Sequence, residues 1–371
     1  MVLNDPAHAA FLGDGLLQIV RVLAYLGVVT TYLLCRELGQ TKLASFIAAL
    51  VTAFNPLFFS LSFTFMTDVP FFTFGVFSTL FFAKALNGKG DGWLVLGCIF
   101  AVAATFTRQL GLMLPLSFAV AWIFRAGFRP KDLARATLPF LLTIGLFLLY
   151  SNWLKNSQGN VPEGYGDFER LLQWVSWGKL AAAPLRLGVL SVSLGLFLLP
   201  PALLLTDGQE LFSQIKKRLT WLGAALIVAV VLVAWPKLPW GNMTYNFGVG
   251  PKLLKDGYFF LNIRPTAPDW AINCLKIIGL GGALSLFILV KKRFTSNFKD
   301  AQPMAVYALA NLVIYGGYLL VDLHCFDRYF FQLLPFLLIL MVPAQPIFPK
   351  KIAFASSVAA LVAMSAVSIA T

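Results

Sequence analysis

Long apolar segments separated by short polar ones run along almost the whole chain. A membrane-spanning helix needs about 20 predominantly apolar residues, and roughly a dozen segments come close to this length. They lie near 15–35, 43–62, 70–86, 92–106, 109–126, 135–153, 183–204, 219–235, 270–290, 302–321, 329–346 and 352–370. The short pair at 92–106 and 109–126 forms either one broken span or a tilted hairpin. The pattern predicts an all-α fold, a polytopic transmembrane helical bundle in which residues 1–371 form a single domain.

Composition agrees with this class. Hydrophobic residues make up 59% of the chain, charged residues only 12%, and the mean hydropathy is +0.79. An average soluble domain has about 25% charged residues. The longest segment outside the predicted spans, near 236–269, is too short for a substantial core of its own. The composition therefore predicts no separate soluble domain.

The basic residues fall in every second loop, which predicts an orientation. The net charge is +13, and cytoplasmic loops of membrane proteins carry an excess of Lys and Arg. The loops predicted to be cytoplasmic contain Arg36, Lys42, Lys84, Lys89, Arg125, Arg129, Lys131, Arg135, 216–218, 291–293, Lys299, Lys350 and Lys351. We interpret this charge as an orientation signal whose partners are membrane lipids, and not as a nucleic-acid interface.

The remaining loops are predicted to face outward, and two of them are long. The loops near 154–182 and 236–269 are rich in Trp, Tyr, Gly and Pro. Such residues either shape a substrate groove or form an interfacial belt that only anchors the helices. Both interpretations stay open for each aromatic residue.

Two charged residues stand at the predicted outer ends of apolar segments. Asp68 lies in FMTDVPFF, where it is either the N-cap of a helix or a carboxylate that serves a site in apolar surroundings. Arg108 lies in ATFTRQLG, on the face where basic residues are sparse. It either extends to the membrane interface or binds a phosphate or carboxylate. We favour the second interpretation for Arg108.

A third polar cluster precedes the segment at 329–346. It contains His324, Asp327, Arg328 and Tyr329, in HCFDRYFF. Asp327 and Arg328 form either a local surface ion pair or part of a phosphate site, since a guanidinium and a phenol at a helix start suit an anionic ligand. His324 is either structural or a proton carrier.

The residue types argue against a tight zinc site. The chain has four cysteines and two histidines, without a CxxC or HExxH motif. A Cys274–Cys325 disulfide stays open, although the spacing of the two cysteines does not require it. A divalent cation held by Asp68, Asp327 and a substrate phosphate stays open, because Mg²⁺ needs only one or two protein carboxylates.

Three blocks in this order resemble the GT-C superfamily of integral-membrane glycosyltransferases. They are FNPLFFSLSFTFMTDVPFFTF, TRQLGLMLP and FDRYFFQLLPFLLIL. The resemblance is to the branch that holds the protein O-mannosyltransferases and the lipid A aminoarabinose transferase. It implies a sugar donor carried on polyprenyl phosphate and a lipid, glycan or protein acceptor on the non-cytoplasmic face. The compact loops favour the inner (plasma) membrane of a bacterium, with the site facing the periplasm or outside, and a location in the endoplasmic reticulum stays open.

The same resemblance implies an inverting displacement at the anomeric carbon and roles for the charged residues. Asp68 is the expected catalytic residue, which orients the acceptor or a metal. Arg108, Arg328 and Tyr329 are expected to bind the donor phosphate. Asp327 and His324 are expected to support them, with Asp327 positioning Arg328.

The start of the chain differs from the family pattern. The family has an acidic residue in the first external loop, after an initial helix. Neither Asp5 nor Asp14 stands in a recognisable form of that motif. We therefore expect the usual first helix and first loop to be missing.

Other classes of protein compete with the enzyme. A transporter or lipid flippase needs the same spans, but it usually carries ionisable residues near the bilayer midplane. In this sequence the polar groups collect at the predicted outer ends, which favours chemistry at the interface. A non-catalytic, degenerate homologue is the third alternative.

Overall fold

The computed structural model describes residues 6–64, 66–158, 303–321 and 327–341, together with 194–195, 223, 270, 274, 277–284 and 287. Its regular elements in this part of the chain are all helical. The α-helices are α1 (Pro6–Glu37), α2 (Lys42–Ala53), α3 (Pro56–Leu61), α4 (Asp68–Leu86), α5 (Asp91–Thr107), α6 (Met113–Ala126), α7 (Pro130–Gln158), α8 (Pro303–Val321) and α9 (Leu334–Met341). Two 3₁₀ helices cover Gln109–Leu112 and Asp327–Leu333.

Four described helices are long and apolar enough to cross a membrane. They cover Gly15–Glu37, Asp68–Leu86, Gln109–Ala126 and Pro130–Leu154. The protein is therefore helical, with membrane-spanning segments close to those predicted at 15–35, 70–86, 109–126 and 135–153. The predicted spans at 183–204, 219–235 and 352–370, and most of both external loops, lie largely outside the described residues. The total of about twelve spans stays a prediction.

The chain forms two compact units. The first comprises residues 1–53, 58–166 and 306–311, and the second comprises 54–57, 167–305 and 312–371. Most of the described side chains belong to the first unit, in which α4 packs on α1 and α5, and α6 packs on α7.

Helix α4 is the centre of the first unit because both of its faces are apolar. Phe71, Phe72 and Phe82 are all buried, which is the pattern of a helix surrounded by other helices. Thr73 Oγ1 donates to the carbonyl of Leu23 in α1 at 2.8 Å. These contacts fix the ends of α4, and hence the position of Asp68.

Small residues allow α5 to approach α4 closely. Ser78 Oγ donates to the carbonyl oxygen of Gly97 at 3.0 Å. A Cβ atom at Gly97 would overlap the ring of Phe82. Close backbone approach at Gly is the usual means by which membrane helices associate.

The apolar segment at 43–62 is two helices and not the single span predicted. Helix α2 ends at Ala53 and α3 begins at Pro56. Asn55 Oδ1 accepts a hydrogen bond from the Leu57 backbone N–H at 3.1 Å. Proline has no N–H to donate to the preceding turn, and the Asn side chain caps the new helix start.

The short pair of apolar segments after α4 forms two separate helices. Arg108 follows α5 with an extended backbone, φ −149° and ψ 134°. One 3₁₀ turn then leads into α6. The polar run TRQ therefore marks a change of direction.

One end of the first unit carries most of its basic residues. Lys89 Nζ lies 2.7 Å from Glu37 Oε1, and Asn87 Nδ2 donates to the same oxygen at 3.0 Å. These contacts join the end of α1 to the α4–α5 loop. The assignment of this end to the cytoplasm stays a prediction.

The second unit contains the polar cluster predicted before residue 330. Tyr315 Oη in α8 donates to the carbonyl oxygen of Tyr329 at 3.0 Å. Phe331, Phe336 and Leu340 are buried. The thiol of Cys274 is free and exposed, and Cys325 lies outside the described residues.

Candidate active site

Asp68 is the first residue of α4. Thr67 occupies the N-cap position, and its side chain makes no capping hydrogen bond. The alternative that Asp68 is itself the N-cap is therefore wrong by one residue. Pro70 falls in the first turn, where backbone N–H groups have no acceptor within the helix, so the lack of an N–H in proline costs nothing. A carboxylate in the first turn also interacts favourably with the helix dipole.

Arg108 lies where α5 ends, and its side chain turns toward the start of α4. Arg108 Nη2 lies 2.8 Å from Asp68 Oδ1. Arg108 Nε donates to Thr67 Oγ1 at 3.2 Å. The antiparallel α4 and α5 thus bring together two residues that are 40 positions apart in the sequence.

The two partners differ in exposure. The Asp68 side chain is 0% exposed, whereas that of Arg108 is 17% exposed. A buried carboxylate is stable only when it is paired. The pairing offsets the cost of burying the Asp68 carboxylate, and Arg108 is the partner whose side chain keeps some exposure.

Gly111 sets the turn that follows Arg108. Its N–H donates to the Arg108 carbonyl at 2.9 Å. A Cβ atom at Gly111 would overlap the backbone of Ala104 and Thr105. Thr67 and Gly111 were not among the residues predicted for the site, since neither carries charge. The signal for Gly111 was a glycine placed three residues after an arginine, between two apolar helices.

A second guanidinium lies at this end of the first unit. The Arg21 guanidinium carbon lies 5.6 Å from the centre of the Phe63 ring. Helices α1 and α4 run parallel, because Leu23 contacts Thr73 at one level and Glu37 contacts Asn87 at another. Arg21 is therefore near the same end as Asp68.

The structure places the late polar cluster only in part. Asp327, Arg328 and Tyr329 open the 3₁₀ helix Asp327–Leu333. Tyr329 is half-buried, and its carbonyl oxygen accepts the hydrogen bond from Tyr315. The side chains of Asp327 and Arg328, and all of His324, lie outside the described part. The roles predicted for these four residues stay predictions.

The described residues contain no group of three or more His, Cys, Asp and Glu side chains that could hold a metal ion. Asp68 directs a carboxylate oxygen to Arg108. A divalent cation at Asp68 would have to compete with this guanidinium.

The membrane-spanning helices are those of an integral membrane protein, and the ion pair lies where α4 begins and α5 ends. Residues 10–154 match the family model described as dolichyl-phosphate-mannose-protein mannosyltransferase, a family of the GT-C type. No curated protein and no solved structure matches the chain. The match confirms the resemblance predicted from the sequence, and it supports a membrane glycosyltransferase. It includes Asp68 and Arg108, but ends well before Arg328.

Proposed function

We propose that the protein transfers a sugar from a polyprenyl-phosphate carrier to a lipid, glycan or protein acceptor on the non-cytoplasmic face of a membrane. The observation that carries this proposal is the Asp68–Arg108 pair, in which a partly exposed arginine side chain is paired with a buried carboxylate where one apolar helix ends and another begins. It lies inside the region that matches a family named for a lipid-phosphate sugar donor.

Arg108 is the proposed ligand of the donor phosphate. A guanidinium presents several N–H donors in a planar fork that fits phosphate oxygens. Nη2 and Nε already contact Asp68 and Thr67, which restricts rotation of the side chain. A cation held in place before the substrate arrives stabilises developing negative charge better than a mobile one.

Asp68 is proposed to act through Arg108. Direct contact with the acceptor would require an accessible carboxylate, and no part of this side chain is exposed. Asp68 is thus a positioning residue in the proposal, and the base that accepts the acceptor's proton is a different group. The variants Asp68→Asn and Arg108→Gln test this role, and they also test the predicted role of Asp68 in orienting the acceptor or a metal.

The proposed reaction is a single displacement with inversion. The acceptor oxygen or nitrogen forms a bond to the anomeric carbon, and the bond from that carbon to the phosphate oxygen breaks. The electron pair leaves with the polyprenyl phosphate, and the acceptor's proton goes to a base. Arg108 stabilises the charge on the leaving phosphate, and Arg328 and Tyr329 are proposed to contribute to the same task.

Transfer from a radiolabelled polyprenyl-phosphate sugar by purified full-length protein in nanodiscs tests the proposal. We expect transfer by the wild type and a loss of about 100-fold or more in Arg108→Gln, in the range seen when one oxyanion donor is removed. Arg129→Gln, an exposed residue outside the pair, serves as the matched control. Wild-type activity in Arg108→Gln would refute its role, and wild-type activity in Arg328→Ala would refute the role of Arg328.

EDTA tests the alternative in which a divalent cation binds the phosphate. Loss of transfer that Mg²⁺ or Mn²⁺ restores would assign phosphate binding to a divalent cation and would contradict the role proposed for Arg108. Unchanged transfer would leave the arginines as the phosphate ligands.

A further inference from the structure

A cavity of about 300 Å³ lies at the end of the first unit opposite Asp68. Four helix ends form it: the end of α4, the start of α5, the end of α6 and the start of α7. The helices α4 and α5 have 19 and 17 residues, so this cavity is about 25 Å from the Asp68–Arg108 pair at 1.5 Å per residue. Its lining includes Trp122, Arg125, Asp132, Arg135 and Asp91.

The charges of this lining are balanced. Arg135 Nη2 lies 2.9 Å from Asp91 Oδ2, which leaves Arg125 and Asp132 as one further cation and one further anion around the same space. Within the described residues, neither of these two forms an ion pair. A ligand that carries both a negative and a positive group complements them better than a purely anionic one.

Arg125 is held at the cavity wall by contacts that use little of its charge. Its guanidinium carbon lies 5.7 Å from the centre of the Trp122 ring, and Nη1 donates to the Ala85 carbonyl at the long distance of 3.4 Å. Gly88, with φ +76°, has no side chain to fill the space beside Nη2, where a Cβ atom would come within 3.3 Å. Arg125 is exposed, so these contacts leave its side chain accessible to a ligand.

Neighbouring side chains support a position of this cavity at the level of lipid headgroups. Lys84 Nζ lies 3.8 Å from the centre of the Trp93 ring. Tryptophan and lysine side chains collect where a bilayer meets water. The cavity therefore opens where phosphate and amine groups of phospholipids are concentrated.

We propose that this cavity binds a zwitterionic phosphate ester with a primary ammonium group, the chemistry of a phosphoethanolamine headgroup. Arg125 binds the phosphate, and Asp132 accepts hydrogen bonds from the ammonium group. The volume equals that of roughly ten waters at ~30 Å³ each, so both groups fit. The site does not depend on the proposed glycosyl transfer.

Native mass spectrometry of the delipidated full chain tests this site with three phospholipids of matched acyl chains: phosphatidylethanolamine, phosphatidylglycerol and phosphatidylcholine. We expect tightest retention of phosphatidylethanolamine. A trimethylated ammonium group cannot donate to Asp132, and a glycerol headgroup has no cation. Equal retention of all three lipids would overturn the proposal.

Variants assign the two groups. Arg125→Gln should reduce retention of phosphatidylethanolamine about tenfold, as expected for one charge-assisted hydrogen bond. Lys131→Gln removes a nearby charge outside the cavity, and should have no effect. Asp132→Asn keeps the shape of the side chain and should remove the preference for phosphatidylethanolamine over phosphatidylglycerol. An unchanged preference in Asp132→Asn, or unchanged retention in folded Arg125→Gln, would contradict the assignment.

Free phosphoethanolamine separates the two sources of this chemistry. Displacement of the lipid by millimolar phosphoethanolamine would identify the headgroup as sufficient, and would allow a soluble ligand. Retention of the lipid under the same conditions, with the selectivity above, would identify a phospholipid as the occupant.

Discussion

Removal of either partner of the Asp68–Arg108 pair should destabilise the protein by more than the pair itself contributes. Arg108→Gln leaves a carboxylate with 0% exposure next to a neutral side chain. Breaking a buried pair in this way costs about 3–5 kcal/mol. We expect a value near the lower limit, about 3 kcal/mol, because Arg108 retains 17% exposure and the pair is partly solvated.

Asp68→Asn should cost less, about 2 kcal/mol, since the unpaired guanidinium can extend toward water or lipid headgroups. The double variant Asp68→Asn/Arg108→Gln contains no uncompensated charge. It should therefore be more stable than the sum of the single effects predicts, with a coupling energy of at least about 1 kcal/mol.

Reversible unfolding in mixed micelles, followed by tryptophan fluorescence, measures the free energy of unfolding for all four proteins. Transfer activity is measured on the same samples, and should stay low in the double variant although its stability recovers. Single effects that add within about 0.5 kcal/mol would show that the two side chains do not interact, and would refute the role of Asp68 in holding Arg108.

Three further variants test how the first unit holds its two ends. Gly111→Ala should lower transfer several-fold without a change of charge, because the new methyl group displaces the turn after Arg108; activity equal to wild type would contradict this. Glu37→Gln should lower the melting temperature because it weakens the contact to Lys89. The expected loss of stability is about 1 kcal/mol, as for a partly exposed pair. A shift no larger than that of an Arg129→Gln control would show that this contact does not stabilise the first unit. Gly97→Val should cost about 1–3 kcal/mol through overpacking against Phe82, and stability equal to wild type would show that the helices can separate at no cost.

The sequence predicted the helices that a bilayer requires. The spans near α1, α4, α6 and α7 were predicted from the length of the apolar segments and from the charged residues at their ends, which can be read directly from the sequence. The break between α2 and α3 had a local signal in Asn55-Pro56, but the long apolar run concealed it. Proline and the Asn cap end a helix even where hydropathy continues.

The candidate site could be predicted only as separate residues. Asp68 and Arg108 were each conspicuous as charges at apolar ends, and the structure brings them together across α4 and α5. The depth at which Asp68 is buried, on which its proposed action through Arg108 rests, depends on helix packing that a single sequence does not specify. Position 111 favours glycine because a Cβ atom there would overlap the backbone of Ala104 and Thr105 in the preceding helix.

The cavity proposed to bind a lipid headgroup was not visible in the sequence for a similar reason. Arg125 and Arg135 were predicted only as part of a basic loop that sets orientation. Arg135 meets Asp91 across two helices, α7 and α5, whereas Arg125 lies beside Trp122 of its own helix. A charge count cannot separate these environments.

Binding of labelled polyprenyl phosphate to the full-length protein in nanodiscs tests the central claim most directly, because it isolates phosphate recognition from sugar and acceptor. If Arg108 binds the donor phosphate, binding is saturable and weakens at least about tenfold in Arg108→Gln. It weakens less in Asp68→Asn and is unchanged in Arg129→Gln. Equal affinity of the wild type and of folded Arg108→Gln would contradict it.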